Sequence, residues 1–83
     1  MLQLRYFASL RERLGLGDET VMLPEAVGTV GSLQQWLQER GEPWREALAD
    51  DRLLVAVNQE VSDRETAVSD GDEIAWFPPV TGG

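Results

Sequence analysis

Residues 69–83 read SDGDEIAWFPPVTGG, and this stretch decides how the rest of the chain is read. Ser69-Asp70-Gly71-Asp72 has the composition of a tight turn, because Ser and Asp bond to nearby backbone and Gly accepts unusual φ angles. Glu73 to Phe77 then alternates, with Ile74 and Trp76 on one side and Phe77 on the other, the period of a half-buried strand. Pro78 and Pro79 have no amide donor and a fixed φ, so the strand stops there. Pro78-Pro79 is stiff and extended, and the six residues 78–83 reach roughly 20 Å.

Working outward, Leu2 to Phe7 shows the same period: Leu2, Leu4 and Tyr6 share one face, and Gln3, Arg5 and Phe7 the other. Ser9 with Glu12 three residues later reads as a capping box opening a short helix. Leu10 and Leu14 form its stripe, and Gly15 and Gly17 stop it. Glu19 to Leu23 reads as a strand closed by Pro24. Thr29 is an N-cap for an amphipathic helix, with Val30, Leu33, Trp36, Leu37 and Arg40 on its stripe. Gln34, Gln35, Gln38 and Glu39 form the wet side. Gly41 ends this helix, and Trp44 to Leu48 makes one more helical turn. Leu53 to Val57 is nearly continuous apolar sequence, typical of a strand covered on much of both faces. Asn58-Gln59 turns it, Glu60-Val61 begins a short return strand, and Ser62 to Ser69 is polar loop anchored by Ala67-Val68.

Two hairpin-like strand pairs joined by one long helix imply an α+β, two-layer domain. A right-handed crossover sets the first and last long strands side by side and parallel. The expected architecture is a ubiquitin-like β-grasp over residues 1–77, with 78–83 as a flexible tail. Ile74 and Trp76 then face the helix with Leu2, Leu4 and Tyr6. Phe7 and Phe77 fall near each other on the opposite face, where Leu54 joins them. Exposed apolar residues are common, but two aromatics at the root of a tail favour a protein-docking patch.

Composition narrows the chemistry. The chain has 83 residues, 7 basic and 15 acidic, for a net charge of −8. It holds no Cys, His or Lys. Thiolate and imidazole metal sites, disulfides, thiol and amine side-chain nucleophiles and a Ser-His-Asp triad are thereby excluded. The scattered arginines give no basic patch for nucleic acid or anionic membrane. No apolar run is long enough for a membrane helix, and no secretory signal opens the sequence, so a cytoplasmic location is expected. Asp70, Asp72 and Glu73 lack the remaining ligands of a calcium loop and read as a turn feeding a strand, so no metal site is expected. Asp50-Asp51 reads as a helix-breaking loop rather than an acid–base pair. The sharpest chemical signal is the tail: Gly82 and Gly83 carry no side chain, so a narrow tunnel admits them and brings a carboxylate to buried chemistry.

The segments LRYFASLRERLG, LLVAVNQEV and VSDGDEIAWFPPVTGG together resemble the small, sulfur-carrying subunit of molybdopterin synthase. The resemblance spans the whole chain and is most specific at the aromatic-PPVTGG end. It implies that Gly83 is adenylated at the expense of ATP by a ubiquitin-activating-like adenylyltransferase, then converted to a thiocarboxylate by a sulfur donor protein. It implies that Pro78, Pro79, Val80, Thr81 and Gly82 enter the large catalytic subunit, with Phe7, Leu54 and Phe77 at the partner interface. Sulfur would pass to cyclic pyranopterin monophosphate to build a dithiolene. The chain itself would be non-catalytic alone and bind no cofactor. Three other readings remain open: a sulfur carrier of thiazole synthesis, a ubiquitin-like protein modifier, and a plain binding module with an incidental tail.

Overall fold

The computed structural model describes residues 1–79. The two alternating stretches form the centre of one sheet. Strand β1 (Leu2–Tyr6) pairs in parallel with β5 (Glu73–Phe77), placing Leu4 opposite Ile74 and Tyr6 opposite Trp76. Outside them lie β2 (Asp18–Val21), antiparallel to β1, and β3 (Leu54–Val57), antiparallel to β5. Strand β4 (Glu60–Ser62) closes the far edge against β3. The order is β2-β1-β5-β3-β4. Helices α1 (Ala8–Leu14), α2 (Val30–Gln38) and α3 (Trp44–Ala47) complete a β-grasp fold. The β3–β4 turn is tight because Asn58 and Gln59 both take positive φ, 51° and 70°, the geometry that matches strand twist.

The core is the inner face of this sheet against α2. Leu2, Leu4, Tyr6, Val55, Val57, Ile74 and Trp76 are buried there with Val30, Leu33 and Leu37. Thr29 caps α2 as expected, but its partner is Ser32. The Thr29 hydroxyl accepts from the Ser32 amide at 3.2 Å, and the Ser32 hydroxyl accepts from the Thr29 amide at 3.0 Å. Gly31 in the first turn of α2 has a packing reason: a Cβ there would stand 3.2 Å from the Arg64 carbonyl, to which Gly31 donates at 2.9 Å.

Four expectations are corrected. The Ser9–Glu12 capping box does not form: α1 begins at Ala8, and its N-cap, Phe7, makes no side-chain bond. Ala8 instead turns the chain with a left-handed φ of 54°, so the start is set by backbone geometry rather than a side-chain cap. Strand β2 runs Asp18–Val21 rather than Glu19 to Leu23, because it ends where pairing with Leu2 ends. Strand β3 is covered well on one face only, since Leu54 is 39% exposed. Gln34 belongs to the core, not to the wet side of α2, and is 6% exposed. Its Nε2 donates to the Leu48 carbonyl at 2.7 Å, and its Oε1 accepts from the Trp76 indole N–H at 3.2 Å. Both ends of the amide are satisfied, which is what permits its burial.

A second polar device ties β1, β2 and the helical layer together. Tyr6 is buried, stacked on Trp76 at 5.8 Å and edge-on to Trp44 at 5.4 Å. Its hydroxyl donates to Glu19 Oε2 at 2.9 Å. Arg40 grips both Glu19 oxygens, at 2.9 and 3.0 Å, and lies over the rings of Trp36 and Trp44. Burial pushes the Tyr6 phenol far above its ordinary range; the charge and hydrogen bond of Glu19 add to this, and Arg40 opposes it. The hydrogen bonds that Arg40 itself donates to Glu19 raise the guanidinium.

Gln34→Leu leaves the indole N–H and the Leu48 carbonyl unpaired, at a cost of about 1–3 kcal/mol. Thermal denaturation should show a drop of about 4–8 °C per kcal/mol for a domain of this size. Tyr6 holds its proton more tightly folded than unfolded. The unfolded phenol ionises at about pH 10, so above that pH the unfolded chain binds fewer protons and stability falls. Tyr6→Phe should flatten that alkaline fall in a melting-temperature series, whatever its effect at neutral pH.

Candidate functional site

The pleat that buries Tyr6 and Trp76 turns their neighbours to the other face of the sheet. Phe7 has extended backbone, with φ −120° and ψ 157°, so the alternation of β1 continues through it. The left-handed turn at Ala8 follows at once and carries α1 away. Phe7 is left 44% exposed. Its amide donates to the Trp76 carbonyl at 3.2 Å, which fixes it beside the end of β5. Phe77 is half-buried and pairs with Leu54 across the β3–β5 ladder. The three residues expected to form a patch therefore lie along one end of the outer face, and Pro78 leaves from its middle strand.

A second row extends the apolar surface. Ala75 is opposite Ala56, and Ala56 is opposite Val61, which is 79% exposed. Sequence reading missed this row, although the alternation of β5 marks Ala75 and the hairpin register marks Val61. Arg5 and Glu73, paired at 2.9 Å, border it. The surface is thus apolar at its centre with charge at its margin, the anatomy of a protein contact.

Beneath the patch, the tail root is fastened from below. Trp76 is fully buried and held by Gln34 and Tyr6 as described. Pro78 and Pro79 are half-buried and lie beyond the end of β5. Val80, Thr81, Gly82 and Gly83, assigned by sequence to the inserted tail and the modified terminus, lie outside the described residues.

The acidic clusters make other bonds. Asp72 accepts from the Ser69 amide at 2.8 Å and from Asn58 Nδ2 at 3.0 Å, Glu73 pairs with Arg5, and Asp70 pairs with the Met1 amine. They organise the turn into β5. Asp50 is held by Arg52, whose hydrogen bonds lower the Asp50 carboxyl, and Asp51 pairs with Arg64 at 3.2 Å. Among the described residues no group of three His, Cys, Asp or Glu side chains is placed to hold a metal ion. No helix among them is long and apolar enough to cross a membrane.

This arrangement can present a tail beside an apolar platform; within the described residues it offers no cluster of reactive side chains. Comparison with known proteins accords with that. A molybdopterin synthase sulfur carrier subunit of Haemophilus influenzae is 42% identical over 83 residues, with 100% of both chains covered. That of Escherichia coli is 41% identical, again with 100% of both covered. Among solved structures, SAMP1 from Haloferax volcanii, a small archaeal modifier protein, is 30% identical with a TM-score of 0.70, covering 99% of this chain and 98% of that one. A chain from the complex of subunits 1 and 2 of the molybdopterin-converting factor of Helicobacter pylori 26695 is 26% identical with a TM-score of 0.68, covering 99% and 97%. The family model of the ThiS family matches residues 4–83. The chain belongs to the ThiS family, and within it to the sulfur carrier subunits of molybdopterin synthase.

Proposed function

We propose that the chain works by having Gly83 charged and discharged by other proteins while the β-grasp domain serves as the handle. A carboxylate oxygen of Gly83 attacks the α-phosphorus of ATP on an adenylyltransferase and displaces pyrophosphate. A sulfide equivalent from a donor protein then attacks the acyl carbon and displaces AMP. The product is a thiocarboxylate, C(=O)S⁻. In the large subunit this sulfur passes to cyclic pyranopterin monophosphate, and two charged copies supply the two dithiolene sulfurs. The chain holds no side-chain thiol or amine to divert the acyl group. Its reactions take place where its partners are, in the cytoplasm.

The observation that carries this reading is the placement of Phe7, Leu54 and Phe77 around the strand end that leads into PPVTGG. Docking of the large subunit there threads residues 78–83 into its tunnel. The complex of subunits 1 and 2 in Helicobacter pylori supports such an assembly. The 41–42% identical relatives favour the dithiolene over thiazole synthesis as the destination of the sulfur. The likeness to SAMP1 favours one second reading, a protein modifier. A tagged copy that yields a ladder of lysine conjugates in cells would support it.

Removing Gly83 should abolish molybdopterin formation in a reconstituted synthase while leaving the melting temperature unchanged, because the core cluster of the described residues is complete by Trp76. A deletion variant that still makes the cofactor would end the proposal. Phe7→Ala and Phe77→Ala should each weaken association with the large subunit, read by calorimetry, by about 1–3 kcal/mol, the range of an interface anchor. Their cost in stability should be smaller than that.

A further inference from the structure

Arg5 is the one cation among the residues of the five strands. The alternation that buries Leu4 and Tyr6 turns it to the face of Phe7, two residues further on. The ladders set it opposite Ala75 on β5 and Asp18 on β2. Its Nε–H donates to Glu73 Oε2 at 2.9 Å. Among the described residues its two terminal amino groups have no protein acceptor, and the side chain is 42% exposed. Arg40, by contrast, donates to Glu19 through both terminal groups. Glu73 therefore holds the Arg5 guanidinium by one corner and leaves its end-on edge free.

A partner that docks on Phe7 and Phe77 covers that edge. Arg5 is one strand spacing from β5 and two residues below the level of Phe77, so the two lie roughly 8 Å apart on the same face. A standard interface takes about 800 Å² from each partner, a disc of roughly 16 Å radius. Guanidinium N–H groups covered without acceptors oppose binding. Acceptors that meet a group already held in place favour it, because little side-chain freedom is lost. The charges decide the acceptor. Arg5 stands between Glu73 and Asp18, and Asp18 makes no ion pair among the described residues. This point of the face is already negative, so a third carboxylate would be repelled. Neutral carbonyl oxygens would not be.

We infer that the large subunit meets the free edge of Arg5 with peptide carbonyl oxygens, and that Glu73 is the positioning residue that holds this edge outward. The inference rests on the docking reading above and adds the chemistry of one contact within it.

The test is affinity of the full chain for the large subunit, read by calorimetry in variants whose melting temperatures match the parent. Arg5→Gln and Arg45→Gln remove the same charge, so general steering is the same for both. Arg5→Gln should weaken binding at least tenfold and Arg45→Gln, on α3, less than twofold. Arg5→Lys keeps the charge but not the planar fork, and should recover only part of the loss. Glu73→Ala should weaken binding severalfold, and Glu73→Gln, which keeps an acceptor for Nε, less than twofold. With a neutral acceptor, the Arg5→Gln loss should persist in about 0.5 M salt. Equal affinities for Arg5→Gln and Arg45→Gln would overturn the inference, and a loss that vanishes in salt would overturn the carbonyl acceptor. Normal binding by Phe77→Ala would instead overturn the docking face on which it rests.

Discussion

The indole of Trp76 is the group on which the rest of the structure depends. Its ring stacks on Tyr6, and its N–H is received by Gln34, so one side chain joins the two central strands to α2 and, through the Leu48 carbonyl, to the end of α3. A buried indole with an unmet N–H would weaken this domain, and a buried glutamine with an unmet amide would weaken it as much. Each answers the other. The residue fixed most firmly in the core is thus the next but one before the first proline of the tail.

Tyr6 extends that linkage to the far edge of the sheet. Its hydroxyl reaches Glu19 on β2, and Arg40 beyond the end of α2 closes the bond with two further contacts. Stacking of the guanidinium on Trp36 and Trp44 holds it in place, as flat cations on aromatic faces do. The polar groups here do not loosen the core; they specify which helix face and which strand edge meet.

Much of this was legible in the sequence, for physical reasons. The alternation of Leu2 to Phe7 and of Glu73 to Phe77 has only one solution once one face is buried, so both strands and the facing of Phe7 and Phe77 could be read directly, and the handedness of the crossover supplied their parallel pairing. The Asn58-Gln59 turn and the Thr29 cap were readable because they are local. Gln34 was not. A polar residue on a helix reads as solvated unless its partners are known, and Trp76 lies 42 positions away in sequence. Nor was the start of α1: Ser9 and Glu12 carry a capping signal that the left-handed turn at Ala8 overrides. The apolar row of Ala56, Ala75 and Val61 needed the register of two ladders, not one strand alone.

The two-residue pleat of β5 has an evolutionary consequence. Trp76 and Phe77 are adjacent, yet one completes the interior and the other meets the outside. Losing or gaining a single residue between Asp72 and Pro78 would exchange their faces, burying the contact ring and ejecting the indole. A change of two residues would keep the facing but move the exit point by nearly 7 Å. The length of this strand is therefore a measured distance between core and tail, and indels here should be far rarer among viable descendants than substitutions on the same strand.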